Sequence, residues 1–189
     1  MERDMTKGRI LPQMTAFAIP LILGNLFQIL YNATDSIIVG KFVGDDALAA
    51  VGTAGPIMNM AILFISGMCM GAGILMSTLY GAKDMKNLEK QISTTLIGGL
   101  VFSLLIAFLM IVFAVPILRL INSPEEIIGS AAIYLRVVFL GLIFTFVYNF
   151  LANTLRALGD SRTPLYFLVI SAFLNVAGDL LFVVTLELG

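Results

Sequence analysis

The chain has 189 residues, of which 59% are hydrophobic and 12% are charged, and its mean hydropathy is +1.01. A soluble domain is about 45–50% apolar and about 25% charged, so this composition indicates an integral membrane protein. The net charge of −1 gives no reason to expect nucleic acid as a partner. Histidine is absent and there is a single cysteine, which excludes a histidine base and an internal disulfide.

Five apolar segments are each long enough to cross a bilayer as a helix, which takes about twenty residues. They cover 11–40, 47–80, 91–121, 127–156 and 164–188. The second is longer than one crossing needs, so we expect tilt or an interfacial turn near Pro56. Pro20 in the first span predicts a helix kink, and the glycine pair Gly67 and Gly71 in the second predicts close helix packing.

The basic residues give the orientation of these spans. Most of the eleven Lys and Arg residues lie in the N-terminal segment and in the second and fourth connections. Short loops rich in Lys and Arg stay on the cytoplasmic side. We therefore expect a multi-pass protein of the cell membrane with a cytoplasmic N-terminus, in which spans one, three and five run outward.

The first span carries a polar face around Asp35. The polar residues that fall within an arc of about 100° on this helix are Asn25, Gln28, Asn32, Asp35 and Ser36. A carboxylate near the middle of a membrane helix costs about 2.5–3.5 kcal/mol, so such a face predicts contact with other helices or a water-filled cavity. The alternative is an interfacial Asp35 that reaches Lys41.

The fifth span carries a second polar face. Ser171, Asn175 and Asp179 are spaced at i, i+4 and i+8 and share one side of a helix. At about 1.5 Å per residue, Asp35 and Asp179 both lie about 9–12 Å below the outer ends of their spans. Because these spans run in the same direction, we expect one shared site for H⁺ or Na⁺, with Asn175 beside it. The alternative for Asp179 is an ion pair with Arg136.

The fourth span contains a third polar face and an arginine. Thr145, Asn149 and Asn153 are spaced at i, i+4 and i+8, and hydrogen bonding between helices is enough to explain them. Arg136 lies about 13 Å into this span, and we expect it to extend towards Glu125 and the adjacent Glu126. The motifs of nucleotide-binding, Ser-hydrolase and zinc-protease enzymes are absent from the sequence.

Three segments together resemble the multidrug and toxic compound extrusion (MATE) family of secondary transporters. The first is Ile19-Pro-Leu21 with Tyr31-Asn-Ala-Thr-Asp-Ser-Ile-Ile-Val-Gly40, followed by Gly44-Asp-Asp-Ala-Leu-Ala-Ala-Val-Gly52. The second is Leu155-Arg-Ala-Leu-Gly-Asp-Ser-Arg-Thr-Pro164. The third is Leu174-Asn-Val-Ala-Gly-Asp-Leu-Leu-Phe182. The resemblance covers essentially the whole chain.

The resemblance implies a fold and a function. Family members have twelve helices in two lobes and expel amphipathic, often cationic, compounds in exchange for Na⁺ or H⁺, without another cofactor. The chain would then supply about five helices of the N-lobe. The family's cation or proton site matches Asp35, Asn175 and Asp179, which would also be the ligands of a bound Na⁺. A helix-four Asn of that site matches Asn153 or, as second choice, Asn149.

The remaining expectations concern partners and alternatives. The chain ends at Gly189, before a sixth helix and a second lobe, so we expect an N-terminal fragment whose partners are membrane lipid, an amphipathic small molecule and the missing C-lobe. A flippase for lipid II or lipid-linked oligosaccharide is one alternative, although its anionic headgroup would favour several cations and Arg136 is the one candidate. A membrane-embedded enzyme and an inactive or regulatory fragment are the others.

Overall fold

The structure, a computed structural model, describes residues 10–42, 45–179 and 181. Its elements are, in chain order, α1 (Ile10–Phe42), α2 (Asp45–Gly81), α3 (Met85–Leu120), α4 (Glu125–Leu140), α5 (Leu142–Ala157) and α6 (Arg162–Asp179). No strand occurs within the described ranges. The prediction of an all-α fold is confirmed.

The first three predicted spans are single helices in the structure. The segments long and apolar enough to cross a membrane are Leu11–Thr34, Ala49–Gly81 and Met85–Leu120. α2 continues through Pro56 as helix, so the interfacial turn expected near this residue is not found. The fifth predicted span begins as α6, and its residues 180 and 182–188 lie outside the described part of the chain.

The fourth predicted span is divided at Gly141 into α4 and α5, which are bent by 43° relative to each other. The Gly141 N–H donates to the Val138 carbonyl, and the Phe144 N–H donates to the Gly141 carbonyl, both at 3.0 Å. Both bonds span three residues instead of four, so the helix tightens here. A Cβ at Gly141 would lie 3.2 Å from the Val138 oxygen, so glycine relieves the crowding at the bend.

Three of the connections between helices end the preceding helix in the same way. Lys83, Asn122 and Gly159 have φ values of 58°, 56° and 86°. After each of them, the next N–H bonds to the carbonyl five residues back, as Asp160 does to Leu155 at 2.9 Å. This Schellman arrangement satisfies carbonyls that the helix itself leaves without partners.

Two of these turns then start the next helix with an aspartate. Asp84 Oδ1 accepts from the Asn87 N–H at 3.2 Å. Asp160 Oδ1 accepts from the Arg162 and Thr163 N–H groups at 3.0 Å, and its Oδ2 accepts from the Thr163 hydroxyl at 2.6 Å. Burial raises the pKa of the Asp160 carboxyl, but these hydrogen bonds outweigh it and hold the pKa below its ordinary value.

The chain divides into two compact units, residues 1–48 with 155–189 and residues 49–154. In the first unit α1 packs against α6. In the second unit α3 packs against α4, and the ring of Phe64 on α2 stacks on that of Phe102 on α3 with their centroids 5.8 Å apart. Each unit is therefore held together by helix-to-helix contacts.

The second unit buries small residues alongside large ones such as Phe139 and Phe146, while other large apolar side chains are exposed. Its fully or nearly fully buried positions on α3 and α4 include Ser103, Ala107, Ala114, Ala131 and Ala132. By contrast, the large apolar side chains of Phe108, Ile133 and Phe144 are 63%, 63% and 77% exposed. Helices in lipid associate through small residues that allow close approach, while large apolar side chains face the hydrocarbon. This distribution is typical of a membrane helix bundle.

Candidate functional site

The three residues expected to form an ion site lie in the first unit, with Asp35 on α1 and with Asn175 and Asp179 on α6. The backbone is helical at all three positions. The side chains of Asp35 and Asp179, like that of Ser36, lie outside the described part of the structure. The geometry of the site therefore rests on helix register and on Asn175.

The register of α1 and α6 is fixed at Gly24, which is buried. A Cβ at Gly24 would lie 3.4 Å from Leu168 Cδ2 and 3.7 Å from Leu165 Cδ1. Because a helix turns about 100° per residue, position 35, about eleven residues further on, returns to within about 20° of the face that carries Gly24. Position 179 has the same relation to Leu168. Both aspartate positions lie on the faces through which α1 and α6 pack.

Asn175 brings a buried polar atom to the same face of α6. It follows Leu168 by two helical turns, so both residues lie on one side of the helix. The Asn175 Oδ1 is buried and accepts no hydrogen bond from any described residue. A buried acceptor left in this state costs about 1–3 kcal/mol. A cation, or a protonated carboxyl one turn further on at Asp179, is the kind of group that would satisfy this oxygen.

The other polar residues of these faces are accessible. Asn25, Gln28 and Asn32 on α1 and Ser171 on α6 are exposed. Exposed amides and a hydroxyl along apolar helices are unfavourable against lipid tails and favourable along a water-filled cavity. The polar face of α1 therefore has the character of a cavity lining.

Pro20 precedes these polar residues on α1, and its side chain is buried. Because proline has no N–H, the carbonyl of Ala16 loses its partner four residues on. The helix continues through this weak point. The kink expected at Pro20 stays a prediction.

Asn149 and Asn153 lie in the second unit, on α5. Asn149 Oδ1 accepts from the Ser66 hydroxyl of α2 at 3.1 Å, and its Nδ2 donates to the Thr145 carbonyl at 2.8 Å. Asn153 Nδ2 donates to the Asn149 carbonyl at 2.8 Å. Both ends of the Asn149 amide are therefore occupied by structural hydrogen bonds, which favours hydrogen bonding between helices as its role.

α2 approaches α5 closely at Gly73, a glycine that was not predicted to make a packing contact. A Cβ at Gly73 would lie 3.4 Å from Asn153 Cβ. By contrast, a Cβ at Gly67 or Gly71 would meet no described residue within 4 Å, so the described part of the chain does not show the close packing predicted for this pair. The spacing of Ser66 and Gly73, seven residues apart on one helix face, is the signal that would have identified the contact.

Arg136 makes a different contact from the one expected. Its Nε–H donates to the Ile111 carbonyl of α3 at 3.4 Å. Glu125 instead pairs with Arg119 across the α3–α4 turn, with Nε and Oε1 3.4 Å apart. The expected contact of Arg136 with Glu125 is therefore not made. Pro116 removes the N–H that would bond to the carbonyl of Val112, the residue after Ile111.

Comparison with known proteins identifies relatives over most of the chain. Residues 20–181 match the MatE family. The chain is 34% identical to the probable multidrug resistance protein YoeA of Bacillus subtilis over 91% of its own length and 37% of that protein. It is also 34% identical to the probable multidrug resistance protein YpnP of the same organism, over 98% of the chain and 42% of that protein.

A solved structure gives the same result for the fold. The crystal structure of a MATE transporter in complex with MaD3S superposes with a TM-score of 0.88 at 27% identity, over 94% of the chain and 40% of that protein. The chain thus spans about two fifths of the length of the proteins that it matches.

Proposed function

Because the chain belongs to the MatE family of membrane transporters, we propose that it contributes part of a lobe to a cation-coupled exporter of small molecules. The family consists of transporters, and the named relatives are multidrug resistance proteins. The proposed cargo is amphipathic and often cationic, and the proposed coupling ion is Na⁺ or H⁺. The observation that carries the proposal is the shared packing face of positions 35, 175 and 179.

The level of the two aspartates supports one shared site. Leu168 is the α6 residue nearest to Gly24 of α1. Counted from that contact, Asp35 and Asp179 each follow after about eleven residues, or about 16 Å of helix. Since the loop charges predict that α1 and α6 run in the same direction, both carboxylates would reach the same depth.

The chemistry of such a pair suits a cation. Two carboxylates on packed helices repel each other in a medium of low dielectric, and a bound Na⁺ or H⁺ relieves that repulsion. Asn175 adds an uncharged oxygen ligand, since its buried Oδ1 accepts no bond from the described residues. Asp35, Asn175 and Asp179 would then provide the protein ligands of Na⁺, or the proton acceptor with its neighbour.

Coupling needs a difference in affinity between two conformations. We propose that the cation favours the state in which α1 and α6 approach closely at Asp35 and Asp179, and that cargo favours the state in which they separate. The accessible amides of Asn25, Gln28 and Asn32 would line the route of the cargo.

Transport driven by separate gradients tests this function. The complete protein that carries this chain is reconstituted in proteoliposomes, and efflux of a fluorescent organic cation is measured under a Na⁺ gradient or a pH gradient. Asp35→Asn and Asp179→Asn should each abolish efflux under the gradient that drives the wild type. Glu89→Gln also replaces a carboxylate by an amide, at an exposed position of α3, and its efflux should match that of the wild type. Wild-type efflux by both aspartate variants would contradict the proposal.

The orientation has its own test. We propose that the α2–α3 turn faces the cytoplasm, because Lys83, Lys86 and Lys90 lie there. In a Cys69→Ala background, a cysteine placed by Lys83→Cys should react with an impermeant maleimide in inside-out vesicles and not in intact cells. Labelling in intact cells would reverse the assignment.

A further inference from the structure

A groove of about 420 Å³ lies between α2 and α3, within the second unit. Its lining is apolar or glycine along most of its length and polar at one end, with Met68, Gly71, Leu75, Gln91, Thr95 and Gly98 among the residues. A Cβ at Gly71 or Gly98 would meet nothing within 4 Å. The groove therefore exists because these two positions carry no side chain.

The polar end of the groove lies close to the α2–α3 turn. Gln91 Nε2 donates to Thr95 Oγ1 at 3.2 Å, and Thr94 beside them is exposed. α3 begins at Met85, so Gln91 lies within two turns of the helix start. Since α2 and α3 are both apolar enough to span a bilayer, this end of the groove is at a membrane surface and the glycine end lies in the hydrocarbon.

Three exposed lysines, Lys83, Lys86 and Lys90, lie in the α2–α3 turn and the first two turns of α3. Lys90 lies one turn before Thr94, on nearly the same side of α3, and Lys86 lies one turn before Lys90.

Two acidic residues, Asp84 and Glu89, lie near these lysines. Asp84 caps the helix, where Oδ1 accepts from the Asn87 N–H and Oδ2 from the Asn87 side chain at 2.6 Å. Glu89 lies about 160° around α3 from Gln91 and about 60° from Lys86, so its charge offsets that of Lys86 more than that of the groove face. Of the two lysines on α3, Lys90 lies nearer to the groove face, about 100° from Gln91 and about 40° from Thr94, and it supplies the positive charge at the mouth.

From this combination we propose that the groove binds one anionic phospholipid. One acyl chain lies along Gly71 and Gly98, and the phosphate lies beside Lys90 with Gln91 and Thr94 as hydrogen-bond donors. The volume is within the range of about 300–1,000 Å³ of sites that hold small ligands. Basic clusters next to membrane helices attract anionic lipid, at about fivefold in affinity for each lysine. This site is independent of the cation site on α1 and α6.

Lipid titration of the purified, delipidated chain tests the proposal. Dioleoyl phosphatidylglycerol and dioleoyl phosphatidylcholine are added separately, and bound lipid is counted by native mass spectrometry at low ionic strength. We expect preferential binding of the anionic lipid. Lys90→Gln should weaken that binding about fivefold, and Lys86→Gln should weaken it less, because Lys86 lies farther around the helix from the groove. Gly98→Leu should reduce binding of the anionic lipid at least tenfold, because the added side chain fills the groove.

Two matched variants serve as controls. Glu126→Gln removes a charge in the first turn of α4, at the other end of α3, and Gly129→Leu adds the same side chain at an exposed position of α4 where a Cβ also has open space. Both should bind phosphatidylglycerol like the wild type. Equal binding of the two lipids, or no effect of the lysine variants, would overturn the role of the charge. Unchanged binding in Gly98→Leu would overturn the role of the groove and leave only surface attraction.

Discussion

The same substitution at two adjacent glycines of α3 should change stability in opposite directions. A Cβ at Gly98 meets nothing within 4 Å, whereas a Cβ at Gly99 would overlap the Cζ and Cε2 atoms of Phe146 on α5. The ring has little freedom to move, because Phe146 is 0% exposed and stacks on Phe150 with their centroids 5.9 Å apart. Gly98→Ala should therefore stabilise the protein and Gly99→Ala should destabilise it.

The expected magnitudes follow from two opposing effects. Replacing glycine by alanine inside a helix stabilises by about 0.5–1 kcal/mol, and at Gly98 nothing opposes this gain. At Gly99, forcing extra volume into a packed interior costs about 1–3 kcal/mol. The net loss for Gly99→Ala is then up to about 2.5 kcal/mol.

Thermal unfolding of the purified chain in detergent measures both variants. For a chain of this size about 1 kcal/mol corresponds to about 2–4 °C in Tm. We expect a Tm increase of about 1–4 °C for Gly98→Ala and a decrease of up to about 10 °C for Gly99→Ala. Phe146→Leu should cost less in the Gly99→Ala background than in the wild type, because the smaller side chain relieves the overlap. An equal increase in Tm for both glycine variants would refute the reasoning.

Three further effects concern the turns and α5. Lys83→Gly should increase the free energy of unfolding by about 1 kcal/mol and raise the Tm, and Gly159→Ala should decrease it by about 1 kcal/mol and lower the Tm, because both positions have positive φ. A Tm shift in the same direction for both variants would show that the αL conformation is not the cause. The lowered pKa of Asp160 means that its contribution is complete above the unfolded value of about 3.9 and is lost as the pH falls through the folded value. Asp160→Asn should therefore lower the Tm at neutral pH and leave it nearly unchanged in strong acid, whereas Thr163→Val, which removes one of the hydrogen bonds, should give a smaller version of the same profile. Asn149→Leu should lower the free energy of unfolding by only about 0.6 kcal/mol, the average for a hydrogen bond between membrane helices. If the folded variant also lost most of its transport activity, Asn149 would have a role in transport as well.

The helical class and the approximate position of the first three spans were predictable from the sequence. Long uncharged runs can be satisfied in lipid only as helices, so hydropathy alone locates them. The bend at Gly141 was not predictable in this way. It depends on hydrogen bonds three residues apart around one glycine, and the hydropathy of α4 and α5 is continuous across it.

The contacts between helices were predicted less well than the helices themselves. The spacing of Gly67 and Gly71 matches a packing motif, yet both face open space, while Gly73 and Gly99 make the close approaches. Every glycine in a membrane span permits close packing, and the sequence alone does not identify the helix face that contacts a neighbouring helix. Only the partner side chains, Asn153 and Phe146, distinguish them.

The candidate site was partly predictable for a similar reason. Periodicity placed Ser171, Asn175 and Asp179 on one face of α6, but it did not say what that face packs against. The contact of Gly24 with Leu168 supplies the missing register, because it shows that positions 35 and 179 extend the packed faces. The buried, unpartnered oxygen of Asn175 could not be inferred from spacing at all, since burial depends on the neighbouring helix.

Cation binding to the purified protein tests most directly whether Asp35, Asn175 and Asp179 form one site. Thermal stability is measured against Na⁺ at fixed pH, with choline as the control salt, and against pH without Na⁺. A cation that binds only the folded state stabilises by about 2.7 kcal/mol at a hundredfold excess over its Kd. We predict such stabilisation by Na⁺ or by H⁺ in the wild type and in Glu89→Gln, and its loss in Asp35→Asn and in Asp179→Asn. Wild-type stabilisation in both aspartate variants would contradict the shared site.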